Sequence, residues 1–381
     1  MVTLDGHTEQ SIDEPGTFGL SVIQVPGESH AAIELNARRI AEDTYDLRMD
    51  PAVQPPWNIR VLRLSHQEHW LILVMHRLIA ECASIERVCQ EILALYDVQQ
   101  RGRSAALPPI PPQYGDYALS QQRTAADWQA RHESYWNEHL AGAAAVRWPA
   151  DPEVTEVRQC TLGKMSSQLG DELSVQLRDL ARVLRTLSPT VMLAIYAVAL
   201  WRWCRQTDFV VPFNVAGRQS EHRNVIGFFA YVLYLRIGLQ EGATFRKFVD
   251  DVGKEFYRAL SHQDFGRMTV LRPELLAGTL FQWITWHPDD AVAAPVDSSA
   301  DSPELSVSRV PIREFGAGLT IAPPGLVDVE ITVFDTPTGL CALGTYRADR
   351  FTVPAVERFM DEFRSTMQAC VRNPEAPLAW R

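Results

Sequence analysis

The sequence predicts a mixed α/β (α+β) fold in two units, and three observations carry that expectation. Strand-like and helix-like signals alternate along the chain. A strand-like run at 158–169 opens what reads as a second unit. The 381 residues, 46% of them hydrophobic, suffice for two cores. The expected boundaries are 1–157 and 158–381.

In order along the chain, "IRVLRL" (59–64) and "HWLILVMH" (69–76) are β-rich runs joined by the polar "SHQE", the pattern of a hairpin. Ile85, Val88, Cys89, Ile92, Leu93 and Tyr96 then recur at helical spacing and predict a helix with one apolar face. "LPPIPPQYGDYA" (107–118) reads as a Pro-rich surface connection, after which Gly115-Asp116 leads into helical sequence reaching Gly142. Beyond the strand at 158–169, Leu173, Leu177, Leu180 and Leu184 form a helical stripe. Ser188 reads as the N-cap of the next helix, with Pro189 in its first turn. The sequence from there to Cys204 is apolar nearly all round, as only a helix buried on all sides can be. "DFVVPFNVAGR" (208–218) and "GFFAYVLYLRIGL" (227–239) read as core strands, and the acidic, Pro/Ser/Ala-rich stretch 287–304 as a mobile loop. No internal repeat at a fixed short period is present.

Composition narrows the function. Thirty-six basic against 47 acidic residues give a net charge of −11, and no Lys/Arg run is dense enough to track phosphates, so neither nucleic acid nor an anionic membrane is expected as a partner. The longest nearly unbroken apolar stretch, "VMLAIYAVALW" (191–201), is about half of what a bilayer needs, and "MVTLDGHTEQ" lacks an apolar signal core. A cytoplasmic location is therefore expected. The six cysteines show no CxxC, the pattern of reduced thiols rather than of disulfides or a zinc site.

Several chemistries are absent: there is no GxSxG, HExxH, P-loop or GxGxxG after a strand. His66 and His69 share a predicted hairpin without a third ligand, and His222, His262 and His287 stand isolated, so neither metal nor cofactor is expected. What is left is "HRLIAECAS" (76–84), a charged cluster where an apolar strand turns into an amphipathic helix.

That cluster resembles the HHxxxDGxS motif of the condensation domains of nonribosomal peptide synthetases. "LPPIPPQYGDYALSQQR", "YWNEHLAG", "DFVVPFNVAGR", "NVIGFFAYVLYLR", and "SHQD" followed by "LFQWITWH" are similar to later segments of that family, in the same order, over roughly residues 45 to 370. The resemblance implies two chloramphenicol-acetyltransferase-like lobes forming a V. The motif would lie at the floor of a tunnel that carrier-borne substrates enter from opposite faces. His76 stands nearer the N-terminus than the motif does in a complete family domain, which implies an N-lobe shortened by about its first strand and helix.

The departures from the family's pattern point away from catalysis. Arg77 stands where the family has its catalytic histidine, and a guanidinium stays protonated at physiological pH and cannot shuttle a proton. Glu81 replaces the aspartate, and Cys82 replaces a glycine that would allow a close approach. Tyr231 replaces an asparagine that the resemblance puts on the tunnel side, and the continuation after His262-Gln263-Asp264 is lost in "FGRMTV". His76, Arg77, Glu81, Cys82 and Ser84, with Tyr231, thus form a degenerate motif with no confirmed catalytic residue. Within the family, His-Arg resembles the X-domain of glycopeptide-antibiotic synthetases, although Cys82 stands where X-domains carry a second acid. That subtype implies recruitment of a tailoring haem-thiolate cytochrome monooxygenase to a peptide on a peptidyl carrier domain. Other readings of the same residues are a structural ion pair of Arg77 and Glu81 with Arg60, an acyltransferase using His76 as an unorthodox base, and a spacer within a synthetase.

Overall fold

The computed structural model describes residues 2–100, 112–154, 160–263, 272–285, 326–336 and 339–379, except for 5, 6, 13, 15, 17 and 48. The expected loop at 287–304 and residues 107–111 of the Pro-rich connection lie outside these residues. The described residues fall into two compact units. The first runs to Tyr117 and takes in Gln219–Phe228; the second comprises Ala118–Arg218 and the described residues from Phe229 onward.

In the first unit, β1 (Val2–Leu4) and β2 (His7–Glu9) form an antiparallel ribbon. A second sheet joins β3 (Ser21–Gln24), β4 (Trp57–Arg63) and β5 (His69–Met75), with β3 parallel and β5 antiparallel to β4. The β4–β5 hairpin is the expected one, its turn closed by Ser65 Oγ, which accepts from the backbone N–H groups of Gln67 and Glu68. Strand periodicity puts Ile23, Leu62, Trp70 and Ile72 on one face. Helix α1 (His30–Asp46) covers that face with Ala37 and Ala41, starting from Ser29, whose hydroxyl caps Ala32 N. Helix α2 (Cys82–Gln100) forms where its periodicity predicts, but only Ser84 in it is fully buried, and Tyr96 of the expected apolar stripe is 51% exposed. The sheet's core is closed by α1, so the α2 stripe is not what seals it.

The second unit starts within α3 (Tyr114–His139) and is built on a six-stranded sheet. Its strands are β6 (Leu162–Gln168), β7 (Asp208–Val215), β8 (Tyr231–Gly238), β9 (Thr279–Thr285), β10 (Val329–Thr336) and β11 (Gly339–Arg347), in the order β6-β11-β10-β9-β7-β8. β9 runs parallel to both β7 and β10, and the other pairs are antiparallel. The helices are α4 (Asp171–Val183), α5 (Ser188–Cys204), α6 (Phe245–Ser261), the short α7 (Pro273–Leu276) and α8 (Val353–Arg372). The Leu173, Leu177 and Leu180 stripe of α4 is buried as expected, and α5 is buried without a break from Thr190 to Trp201. Its N-cap is Leu187 rather than Ser188: the first helical residues are Ser188 and Pro189, the latter at a position where a missing N–H costs nothing.

The compact units part at Tyr117, and the sequence placed its boundary at 157. The cause is α3, whose Trp128 and Trp136, followed by Leu140, Val146 and Trp148, pack into the second unit's core. All six cysteines are unbridged, and no single described helix is long and apolar enough to cross a membrane.

Candidate functional site

The expected motif lies at the exit of β5, all of it within the first unit. The chain leaves the strand with His76 N donating to Pro56 O at 2.7 Å, and a turn closes as Ile79 N donates to His76 O at 3.0 Å. Ile85 N donating to Glu81 O at 3.0 Å then opens α2. Ser84 is fully buried and is met by the segment Gln219–Phe228, which reaches this unit from far along the chain. Its Oγ donates to Gly227 O at 2.7 Å and accepts from Gly227 N at 3.0 Å. The next carbonyl, that of Phe228, accepts from the Tyr114 hydroxyl at 2.7 Å. Residue 227 must be glycine for this approach, because a Cβ there would sit 2.0 Å from Tyr114 Cδ2. The Arg77 guanidinium carbon lies 5.3 Å from the centre of the Phe228 ring, in cation–π range.

The side chains gathered here offer little to acid–base chemistry. His76 Nδ1 accepts from Leu78 N at 3.2 Å, so its lone pair at that nitrogen is occupied and the neutral ring carries its proton on Nε2, as a donor. Arg77 is a permanent cation. Burial pushes the Cys82 thiol up to about 11; Arg77 opposes the rise, and Glu86 and Glu81 add to it, so the group is a poor nucleophile at neutral pH. The Ser84 hydroxyl proton is committed to Gly227 O. Tyr114 is held above its ordinary value by burial and then by the Glu81 charge, which keeps it a donor to Phe228 O.

Two expected members stand apart. Arg60 sits in β4 in register with Ile72, on the face that α1 covers, and forms no ion pair among the described residues. Tyr231 belongs to the second unit, where it opens β8 and is only 3% exposed. Its hydroxyl donates to Gln263 Oε1, and its ring occupies the space a Cβ on residue 217 would need. His262 is not isolated: it contacts His132 and Tyr135. Asp264 and His287 lie outside the described residues, and no group of three or more metal-ligating side chains occurs among those described. Sequence reasoning missed Tyr114, Gly227 and Phe228 as the partners of the motif. The signal available was that "NVIGFFAYVLYLR", already similar to a family segment, contains Gly227 and Phe228.

The described residues thus form a mixed α/β fold with this turn at the end of a hairpin. Residues 1–380 match the Condensation domain family, and the chain belongs to that family, whose setting is nonribosomal peptide synthesis. It is 25% identical over 381 residues to a linear gramicidin synthase of Brevibacillus parabrevis, covering 97% of this chain and 7% of that protein. It is 28% identical over 346 residues to enniatin synthase of Fusarium equiseti, covering 88% of this chain and 10% of that one. The chain thus spans a tenth or less of the length of these relatives. Among solved structures, SgcC5 from Streptomyces globisporus shares the fold with a TM-score of 0.77 at 21% identity, covering 99% of this chain and 85% of that one. The X-domain from teicoplanin biosynthesis shares it with a TM-score of 0.74 at 20% identity, covering 97% and 82%.

Proposed function

We propose that this chain is a non-catalytic condensation-type domain that recruits a tailoring haem-thiolate cytochrome monooxygenase to a carrier-bound peptide in the cytoplasm. The observation that carries the reading is Arg77 in the position of the family's base, beside a His76 whose Nδ1 is already bound to Leu78 N. Neither His76 nor Arg77 is then set to take a proton from an attacking amine. The His-Arg pair supports the recruiting subtype, as does the shared fold with a teicoplanin X-domain solved in complex with OxyB. Use of His76 as a base would require breaking its bond to Leu78 N and reversing the tautomer.

Two measurements test the proposal. With carrier-bound donor and acceptor, the chain is expected to form no amide or ester above the uncatalysed background, and Arg77→His alone is expected not to restore it, since Cys82 and Tyr231 still stand in place of the family's residues. Product formed by the unmodified chain would overturn the non-catalytic reading. Calorimetric titration with oxygenases of the same pathway is expected to show micromolar binding that salt weakens, given the charge of −11, and that Arg77→Ala leaves unchanged. Absence of binding by all of them at low salt would overturn recruitment and leave the spacer role.

A further inference from the structure

In the second unit, α3 and the C-terminal end of α6 meet through a group of rings that the turn at His76 does not use. Tyr135 stacks on His262 with centroids 3.7 Å apart and planes 6° apart, and on His139 at 5.2 Å and 7°. His139 Nε2 lies 2.6 Å from Glu255 Oε1 of α6. His132 meets His262 edge to face, their two Nδ1 atoms 3.1 Å apart. Trp136 Nε1 donates to His262 O at 3.1 Å, so α3 holds both the ring and the carbonyl of His262. The next residue, Gln263, is held by the Tyr231 hydroxyl.

Two Nδ1 atoms at 3.1 Å form a hydrogen bond only if one bears the proton and the other a lone pair. A pair with one or two neutral rings satisfies that; with both rings charged, two N–H donors and two like charges face each other. The surroundings do not offset a second charge. Arg131 of α3 adds positive charge beside His132, and Arg258 of α6 bears on the neighbouring Tyr135. Glu255, the nearby carboxylate, is engaged by His139 and by Arg236 N of β8 at 3.1 Å, while the Arg236 guanidinium is committed to Asp208.

We propose that His132 and His262 form a protonation-sensitive clasp, which fastens the end of α6 to α3 while at most one of them is charged and releases it when both are. His132 is already held below the usual imidazole value by burial, and further by His262 and Arg131, in keeping with a pair that resists its second proton. Below that point the chain leaving α6 is free of α3, while the unit's apolar core, which needs neither ring charge, stays folded.

Backbone hydrogen exchange on the full chain, expressed as protection factors so that the intrinsic pH effect is removed, reads the clasp directly. Between about pH 7.5 and 5.5, where imidazoles titrate, protection at residues 258–263 is expected to fall about tenfold or more, with the α5 amides unchanged. His132→Asn, which cannot take a charge, is expected to reduce that fall to less than about twofold. An equal fall in this variant would overturn the clasp. Imidazole nitrogen NMR on the unmodified chain guards against a variant that loosens the contact for other reasons. Coupled titration, with the second proton taken up well below the usual value of about 6.5, is expected; independent titration of both rings near that value would also overturn it.

Discussion

The two units are held by different means. The second closes a six-stranded sheet with α4, α5 and α8, and α5 is apolar on every face over twelve consecutive buried residues from Thr190 to Trp201. The first closes a three-stranded sheet with one helix, and its core cluster has seven buried members: Val25, Ala37, Ala41, Leu62, Leu64, Trp70 and Ile72. Its motif turn is fastened instead by polar bonds to a distant segment, at Ser84 and Tyr114. Burial of apolar area scales with size and tolerates error, whereas a buried hydrogen bond is lost whole when one partner goes. The family's site therefore stands on the unit with less apolar reserve.

Substitutions of decreasing effect probe this difference. Trp201→Ala empties a fully buried site in the second core and is expected to cost about 3–5 kcal/mol in denaturant unfolding. An equal loss in both units' hydrogen exchange would show that they unfold as one and dissolve the contrast. Ser84→Ala strands Gly227 N and O in a buried place and is expected to cost about 1–3 kcal/mol, felt at α2 and residues 219–228 but not at α5. Exchange at α2 matching the unmodified chain would show that the apolar core alone holds the turn.

A carboxyl of the second unit carries an acid-range effect. The Asp151 carboxyl is pushed up by burial, but bonds from Thr352 N, Thr352 Oγ1 and Glu153 N outweigh this and hold it below its usual 3.8. A depressed carboxyl stabilises the fold above its unfolded value and loses that contribution as the pH falls through its folded value. Asp151→Asn is therefore expected to lower the melting temperature at pH 7, with the gap closing in acid below 3.8; a gap independent of pH would refute the linkage. The smallest change is expected from Arg60→Met, within about 0.5 kcal/mol, because the aliphatic stem is kept and no ion pair is lost. A loss of several kcal/mol would restore Arg60 to the motif's ion pair.

What the sequence made legible followed from period and composition. A helix apolar on all sides has one resting place, and α5 is found there; the β4–β5 hairpin follows from two β-rich runs about a short polar link. The motif was read through its resemblance, which puts Arg77 where the family has its base. Its fastening was not, because Ser84 and Gly227 are 143 residues apart and nothing local in either announces the other. The same holds for His132 and His262, 130 residues apart. The boundary at 157 was placed by a new strand, whereas the indole rings of α3 join the core of the second unit earlier in the chain. The stripe of α2 was legible as a helix but not as one left half-buried, since periodicity reports amphipathicity and not which helix closes the sheet.

The return of Gln219–Phe228 to the first unit has a consequence for synthesis on the ribosome. Domains generally fold as they emerge, the N-terminal one first. Here the earlier-made unit lacks Gln219–Phe228 until all of Ala118–Arg218 has been translated. During that interval the Ser84 hydroxyl has no Gly227 to receive it, and the turn bearing His76 and Arg77 is finished only after the central helix of the other unit already exists. A single cut at Tyr117 would make that wait permanent, so a transplant of this region must carry Gln219–Phe228 along with the residues up to Tyr117.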